Sequence, residues 1–163
     1  MTYEVVNGPA GMQPIADTST VQHHKIGTRV QAYDETYGVG EFIYLKGVAS
    51  TAVGDLVIYE EYANLTIRAV AGSRGPAAVA MSANVAEQYG WYQIFGAAKI
   101  KAGTVADNGD VYLTATAGTV DDAVVAGDKV DGARFKSADG TPAAGYAVCQ
   151  ISYPCCNDND RVV

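Results

Sequence analysis

His23 and His24 are the only histidines in the chain, and imidazole is the side chain best suited to proton transfer or metal binding near neutral pH. Their adjacency works against both roles. On an extended segment neighbouring side chains point to opposite sides, and on a helix they do not share a face, so the pair does not close on one metal ion. The expectation is a pair of solvated or partner-contacting imidazoles. Asp17 and Ser19 lie nearby, but a nucleophilic triad is defined by geometry and no partner motif accompanies them. Asp55, Asp110 and Asp128 each follow a glycine at the start of an apolar run. Paired carboxylates can run acid–base catalysis, yet this placement reads as turn chemistry, with each side chain accepting a backbone N–H.

The remaining candidates fail on spacing. Gly38-Val39-Gly40 opens like a dinucleotide fingerprint, but Ile43 stands where the third glycine belongs. Asp107-Asn108-Gly109-Asp110 and Asn157-Asp158-Asn159-Asp160 hold calcium-type ligands without the full loop spacing. Cys149, Cys155 and Cys156 are odd in number and include an adjacent pair, which suits neither a disulfide framework nor a zinc site. Reduced thiols are expected, with Cys149 in a strand; an inter-subunit bond from the tail is the alternative. No catalytic set, metal or cofactor is therefore expected, and the chain does not read as an enzyme.

The elements that position these residues are short strands. Of 163 residues, 48% are apolar and only 18% charged, which fits one globular domain. Eighteen glycines, with many Ala, Val and Thr, suit strands joined by tight turns. Tyr is abundant, 11 against 3 Phe, and suits half-buried sheet faces and subunit contacts alike. The net charge of −7 disfavours nucleic acid, and no apolar run approaches the ~20 residues of a membrane span. The N-terminus shows no basic and apolar leader pattern, so synthesis in a cytoplasm is expected.

Residues 1–38 show no sustained period and read as an extended N-terminal arm, with one brief alternation placing Val30 and Ala32 on one face. Residues 39–154 read as a β domain of eight to ten short strands, a mainly antiparallel barrel or sandwich with at most one or two short helical turns. Residues 82–89 are the best place for such a turn, and 120–126 fit either a turn or a strand. Residues 155–163 read as a polar tail. At the centre stands Gly90-Trp91-Tyr92-Gln93-Ile94-Phe95-Gly96, with apolar groups on both faces and a glycine for a bend at each end. Trp91 and Phe95 are expected in the core. Tyr89 and Tyr92, with His23 and His24, are the expected partner contacts.

Gly40-Glu41-Phe42-Ile43-Tyr44-Leu45-Lys46-Gly47-Val48-Ala49-Ser50-Thr51, with Gly54-Asp55 behind it, resembles a family of tailed-bacteriophage virion proteins, the capsid decoration or cement proteins. So do Val79-Ala80-Met81-Ser82-Ala83-Asn84 and Tyr89-Gly90-Trp91-Tyr92-Gln93-Ile94-Phe95-Gly96. The resemblance covers roughly residues 17–150 and leaves Cys155-Cys156-Asn157 outside. It implies a β-rich protein, commonly a homotrimer, made in the host cytoplasm. Such a protein binds the major capsid protein on the exterior of the head and stabilises the shell against internal DNA pressure. The resemblance carries no catalytic residue. The irregular arm would then reach a neighbouring subunit or the shell. A receptor- or glycan-binding module of a tail or head fibre is the alternative, with Tyr89, Trp91 and Tyr92 as its candidate aromatic groove.

Overall fold

The computed structural model describes residues 2–157, and no helix occurs among them. The chain is all-β: among the described residues twelve strands form one hydrogen-bonded network, and every ladder between them is antiparallel. They are β1 (Glu4–Asn7), β2 (Thr18–Ser19), β3 (Arg29–Asp34), β4 (Gly38–Lys46), β5 (Leu56–Glu60), β6 (Leu65–Arg68), β7 (Gly75–Ala80), β8 (Tyr89–Lys101), β9 (Asp110–Leu113), β10 (Val120–Asp121), β11 (Lys129–Phe135) and β12 (Tyr146–Cys156).

Strand β8 is common to both halves. Its first part pairs with β4, placing Trp91 opposite Tyr44, and its last part pairs with β12, placing Ala98 opposite Cys149. Between them lies Gly96, at φ +102°, where an added Cβ would stand 2.7 Å from the Val39 carbonyl oxygen. Only glycine takes that backbone and that approach together. Beyond Phe95 and Ser152 the β8 and β12 strands part, and β7 fills the fork. Val79 and Ala80 of β7 pair with Gln93 and Tyr92, while Gly75 and Pro76 pair with Cys156 and Cys155.

Three apolar clusters follow from this layout. Alternation along β8 sends Trp91 into a cluster with Ile15, Val30, Ala32, Phe42, Tyr44 and Met81. Tyr92 and Ile94 go the other way, against Ile43, Leu45, Val57, Tyr59, Ala78 and Ala80. The second part of β8 contributes Ala98 and Ile100 to the largest cluster, shared with β5, β7, β9, β11 and β12. The central segment is thus covered on both faces, as its composition implied.

The strand entries use a repeated turn. Gly54 and Gly127 both adopt φ near +82°, at +82° and +83°. The following Asp55 and Asp128 N–H groups bond back to the Ala52 and Val125 carbonyls at 3.1 Å, the geometry of type II turns. Asp55 is more than a turn residue. It is fully buried; its Oδ2 accepts from Ala52 N at 2.9 Å and from Arg68 Nε at 2.7 Å, and its Oδ1 faces Lys101 Nζ at 3.1 Å. The Lys101 contact is an ion pair without a well-directed hydrogen bond, since Oδ1 otherwise has no hydrogen-bond partner. One carboxylate therefore ties β5 to β6 and β8.

Several expectations need correction. The described part of the segment expected as an extended N-terminal arm, residues 2–38, packs on the domain: β3 pairs along its length with β4, β1 pairs with β3, and β2 pairs with β8. Ile15 is buried, and the Trp91 indole Nε1 donates to Gln13 O at 2.9 Å. The irregular segment is the lid of the Trp91 cluster, so its lack of period reflects coverage of a core rather than freedom. Cys155 and Cys156 belong to β12 and not to a tail, because β7 offers them a pairing edge; residues 158–163 lie outside the described part. Residues 82–89 form no helical turn. Gln88 N bonds to Val85 O at 3.1 Å in a tight turn, and buried Asn84 donates to Tyr92 Oη at 3.1 Å. Residues 120–126 resolve as the short strand β10 and a loop. Gly90 makes no bend; it sits within β8, where Ser82 and Asn84 leave a Cβ only 3.2–3.3 Å.

Emptying the Trp91 site should lower stability by about 3–5 kcal/mol, the scale for a buried aromatic side chain. Urea denaturation of Trp91→Ala measures it, and an unchanged midpoint would contradict the burial. Asp55→Ala should cost about 3 kcal/mol, the low end for breaking a buried pair, because Arg68 and Lys101 still reach water. The same measurement checks it, and a loss under about 1 kcal/mol, the scale of an exposed pair, would remove Asp55 from its central place.

Candidate partner-binding face

The outward side of the β1–β3–β4–β8–β12 path carries apolar and aromatic groups in water. On β3, Val30, Ala32 and Asp34 point inward, which leaves Arg29, Gln31 and Tyr33 outward. Register then builds the face. Tyr33 lies opposite Val39, and Gln31 opposite Glu41 on β4. Glu41 lies opposite Phe95 on β8, which lies opposite Ser152 on β12. Directly paired residues share a face, so Tyr33, Val39, Glu41 and Phe95 stand together. Tyr33 is 42% exposed, Val39 51%, Phe95 39% and Tyr153 54%.

Phe95 and Tyr153 sit at the fork of β8 and β12. Their ring centroids are 5.7 Å apart, and the Tyr153 hydroxyl donates to Glu41 Oε2 at 2.9 Å. Tyr153 holds this place at φ +47°, a left-handed conformation uncommon for a residue with a Cβ. The register irregularity of β12 around Tyr153 and the one of β8 between Gln93 and Phe95 turn two aromatic rings to the same outer surface. Burial would normally claim such rings; here the fork excludes them from both neighbouring cores. Two hollows border the face. One, of about 450 Å³, is lined by Thr2, Glu4, Tyr33, Asp34, Glu35 and Thr36. The other, about 220 Å³, lies between Asn7, Arg29, Gln31 and Glu41.

The residues expected from sequence to meet a partner are placed differently. Tyr92 is fully buried, and burial also raises its hydroxyl pKa; it meets Asn84, not a partner. Phe95, expected in the core, is outside. Tyr89 is half-buried, stacked on Tyr44 with centroids 6.3 Å apart. Trp91 is buried, so no groove of Tyr89, Trp91 and Tyr92 exists. His23 is exposed, and its main-chain N–H donates to the Tyr44 hydroxyl at 3.2 Å.

His24 packs within the Trp91 lid. Its ring lies 5.0 Å from Tyr44 and 5.4 Å from Trp91, and its Nε2 accepts from Gln13 N at 3.2 Å. Gln13 in turn accepts from the Tyr44 hydroxyl at 3.0 Å and donates to Asp17 O and Tyr89 O. Accepting requires the neutral imidazole. Burial, then neighbouring His23, lowers the His24 pKa below the usual 6.5.

The three cysteines are free thiols, and burial pushes Cys149 and Cys156 up to about 12, which makes them poor nucleophiles. Among the described residues no group of three or more His, Cys, Asp or Glu is placed to hold a metal ion. The three turn aspartates do not converge: Asp128 Oδ1 accepts from Gly72 N at 2.6 Å, and Asp110 pairs with Lys129 at 2.9 Å. Comparison with known proteins found no family model and no curated protein that matches the chain.

Because the folded state binds a proton at His24 less well than the unfolded state does, His24 favours folding above pH 6.5. That contribution falls as pH drops through 6.5 towards the folded pKa. Urea midpoints between pH 7.5 and pH 5.5 should therefore fall more for the wild type than for His24→Asn, which keeps an acceptor but does not titrate. Equal pH dependence of the two would exclude His24 as a latch on the lid.

Proposed function

We propose that this chain is a structural virion protein of a tailed bacteriophage, bound to the outer surface of the head shell and stabilising it as a homotrimer. The observation that carries the reading is the exposed strip of Tyr33, Val39, Phe95 and Tyr153 on a rigid sheet. Contiguous aromatic groups held in water by backbone geometry are a feature of protein-contact surfaces. The resemblance of the segments around β4, β7 and β8 to capsid decoration proteins points the same way. Repeated weak contacts on a symmetric shell would sum by avidity. The partner in this reading is the major capsid protein, and the site of action is the exterior of the virion after synthesis in the host cytoplasm.

The lid role of the N-terminal segment changes how that contact is made. The segment covers Trp91 in its own subunit, so the shell contact rests on the sheet face and not on a reaching arm. A second reading, a glycan-binding module of a fibre, draws on the same rings. Phe95 and Tyr153 beside Glu41 and Gln31 combine a stacking surface with hydroxyl-binding groups.

Two measurements decide between them. Antibody labelling of virions should decorate the whole head; labelling confined to the tail or to fibres would favour the glycan reading. Sedimentation at micromolar concentration should show three copies of 17.0 kDa, about 51 kDa. A single species near 17 kDa would refute the trimer. Phe95→Ala/Tyr153→Ala should lose binding to heads by about tenfold or more, the scale of central interface aromatics, with little change in melting temperature because both rings are already part exposed.

A further inference from the structure

We propose that the Tyr33–Val39–Phe95–Tyr153 face docks a protein surface that is basic around its apolar contact. This rests on the shell-binding reading and specifies the partner's chemistry. The apolar strip alone does not choose an occupant; its rim does. Glu4 stands opposite Tyr33 on the edge strand β1, and Glu35 lines the same hollow as both. Glu41 lies between Val39 and Phe95. None of these three carboxylates pairs with a Lys or Arg among the described residues; Glu41 accepts only the Tyr153 hydroxyl. Arg29, the outward cation of β3, is neutralised by Glu61 at 3.1 Å, and Lys99, four residues beyond Phe95 on the same side of β8, lies over the Tyr146 ring at 4.0 Å. Beside the strip itself, Glu4, Glu35 and Glu41 with the one cancelled pair leave a local charge of about −3.

That rim selects among occupants. A second copy meeting this face with its own would bring like charges together, which disfavours self-pairing. A phosphate backbone or an anionic membrane would be repelled for the same reason. A partner carrying Lys or Arg around an apolar centre gains on both counts. The rim would speed encounter, and Phe95 with Tyr153, excluded from the domain's own cores, would supply the desolvated centre.

The test has two arms. In the first, the intact protein is titrated with two strand-forming peptides, one alternating Lys and Leu and the other alternating Glu and Leu, with the Val39 methyl signals followed by NMR. The Lys peptide should shift Val39 and bind at least tenfold more tightly at low salt. That preference should collapse in 0.5 M salt and in Glu4→Gln/Glu35→Gln/Glu41→Gln, whose melting temperature is checked against the wild type. Equal binding of both peptides, a shift elsewhere than Val39, or a preference that survives the triple change would overturn the inference. So would self-association through this face, seen as concentration-dependent Val39 shifts.

In the second arm, heads of the phage that encodes the chain, stripped of it, are rebound with wild type and the triple variant. Weaker, salt-insensitive binding of the variant supports the basic partner, and equal binding counts against it. If the wild type fails to rebind while the peptide preference holds, the shell reading falls and the basic-partner inference stands.

Discussion

The fold depends on one strand shared by both halves of a single sheet. β8 is long enough to pair β4 at its start and β12 at its end; the register shifts between Gln93 and Phe95, and Gly96, at φ +102°, follows directly. An added Cβ there would press on Val39 O, so the position tolerates only the residue without one. Because β8 and β12 then diverge, β7 can enter between them, and the resulting layers enclose clusters on both faces of the central segment. The same divergence leaves Phe95 and Tyr153 with no core to enter. The candidate binding face is thus a by-product of how the two halves are joined.

Polar groups hold the two halves in register. Asp55 reaches Arg68 and Lys101 from a fully buried position, and Gly118 packs against its carboxyl, where a Cβ would come within 2.5 Å of Cγ. Arg68 also donates to Ala117 O at 2.7 Å, which adds the β9–β10 loop to the same junction. Around Trp91 the equivalent centre is Gln13, which satisfies an indole, a phenol and two carbonyls at once. Each centre uses charge-assisted or multiple hydrogen bonds where apolar packing alone would leave the mutual position of strands loosely specified. Tyr is abundant partly for this reason: Tyr44 and Tyr92 bury their rings while their hydroxyls bond Gln13 and Asn84.

Strand content and strand direction were legible in the sequence because they rest on local signals. Alternation at Val30 and Ala32, the apolar run at 42–45 and the glycine–aspartate turns each report a period or a φ preference within a few residues. The coverage of Trp91 by the segment expected as an arm, residues 1–38, was not legible because a lid over a core needs no period; its contacts are set by distant partners such as Trp91 and Tyr44. Phe95 left its expected place because a register shift between Gln93 and Phe95 breaks the two-residue alternation, and such a bulge depends on what the neighbouring strand does; Tyr92 kept its side of β8 and is buried because β5 and β7 cover that face.

The binding face shows the same division. Its residues come from five strands, and Tyr33, Val39, Glu41 and Tyr153 carry no mark that separates them from other strand residues. Sequence alone determined that the chain would be a β protein of short strands joined by glycine turns, with Trp91 inside, because burial of that residue and the turn geometry are local demands. Only the tertiary structure decided which aromatic rings stay in water. That choice is made where β8 and β12 separate, by strand pairs more than fifty residues apart in the chain and by a close approach that only glycine permits.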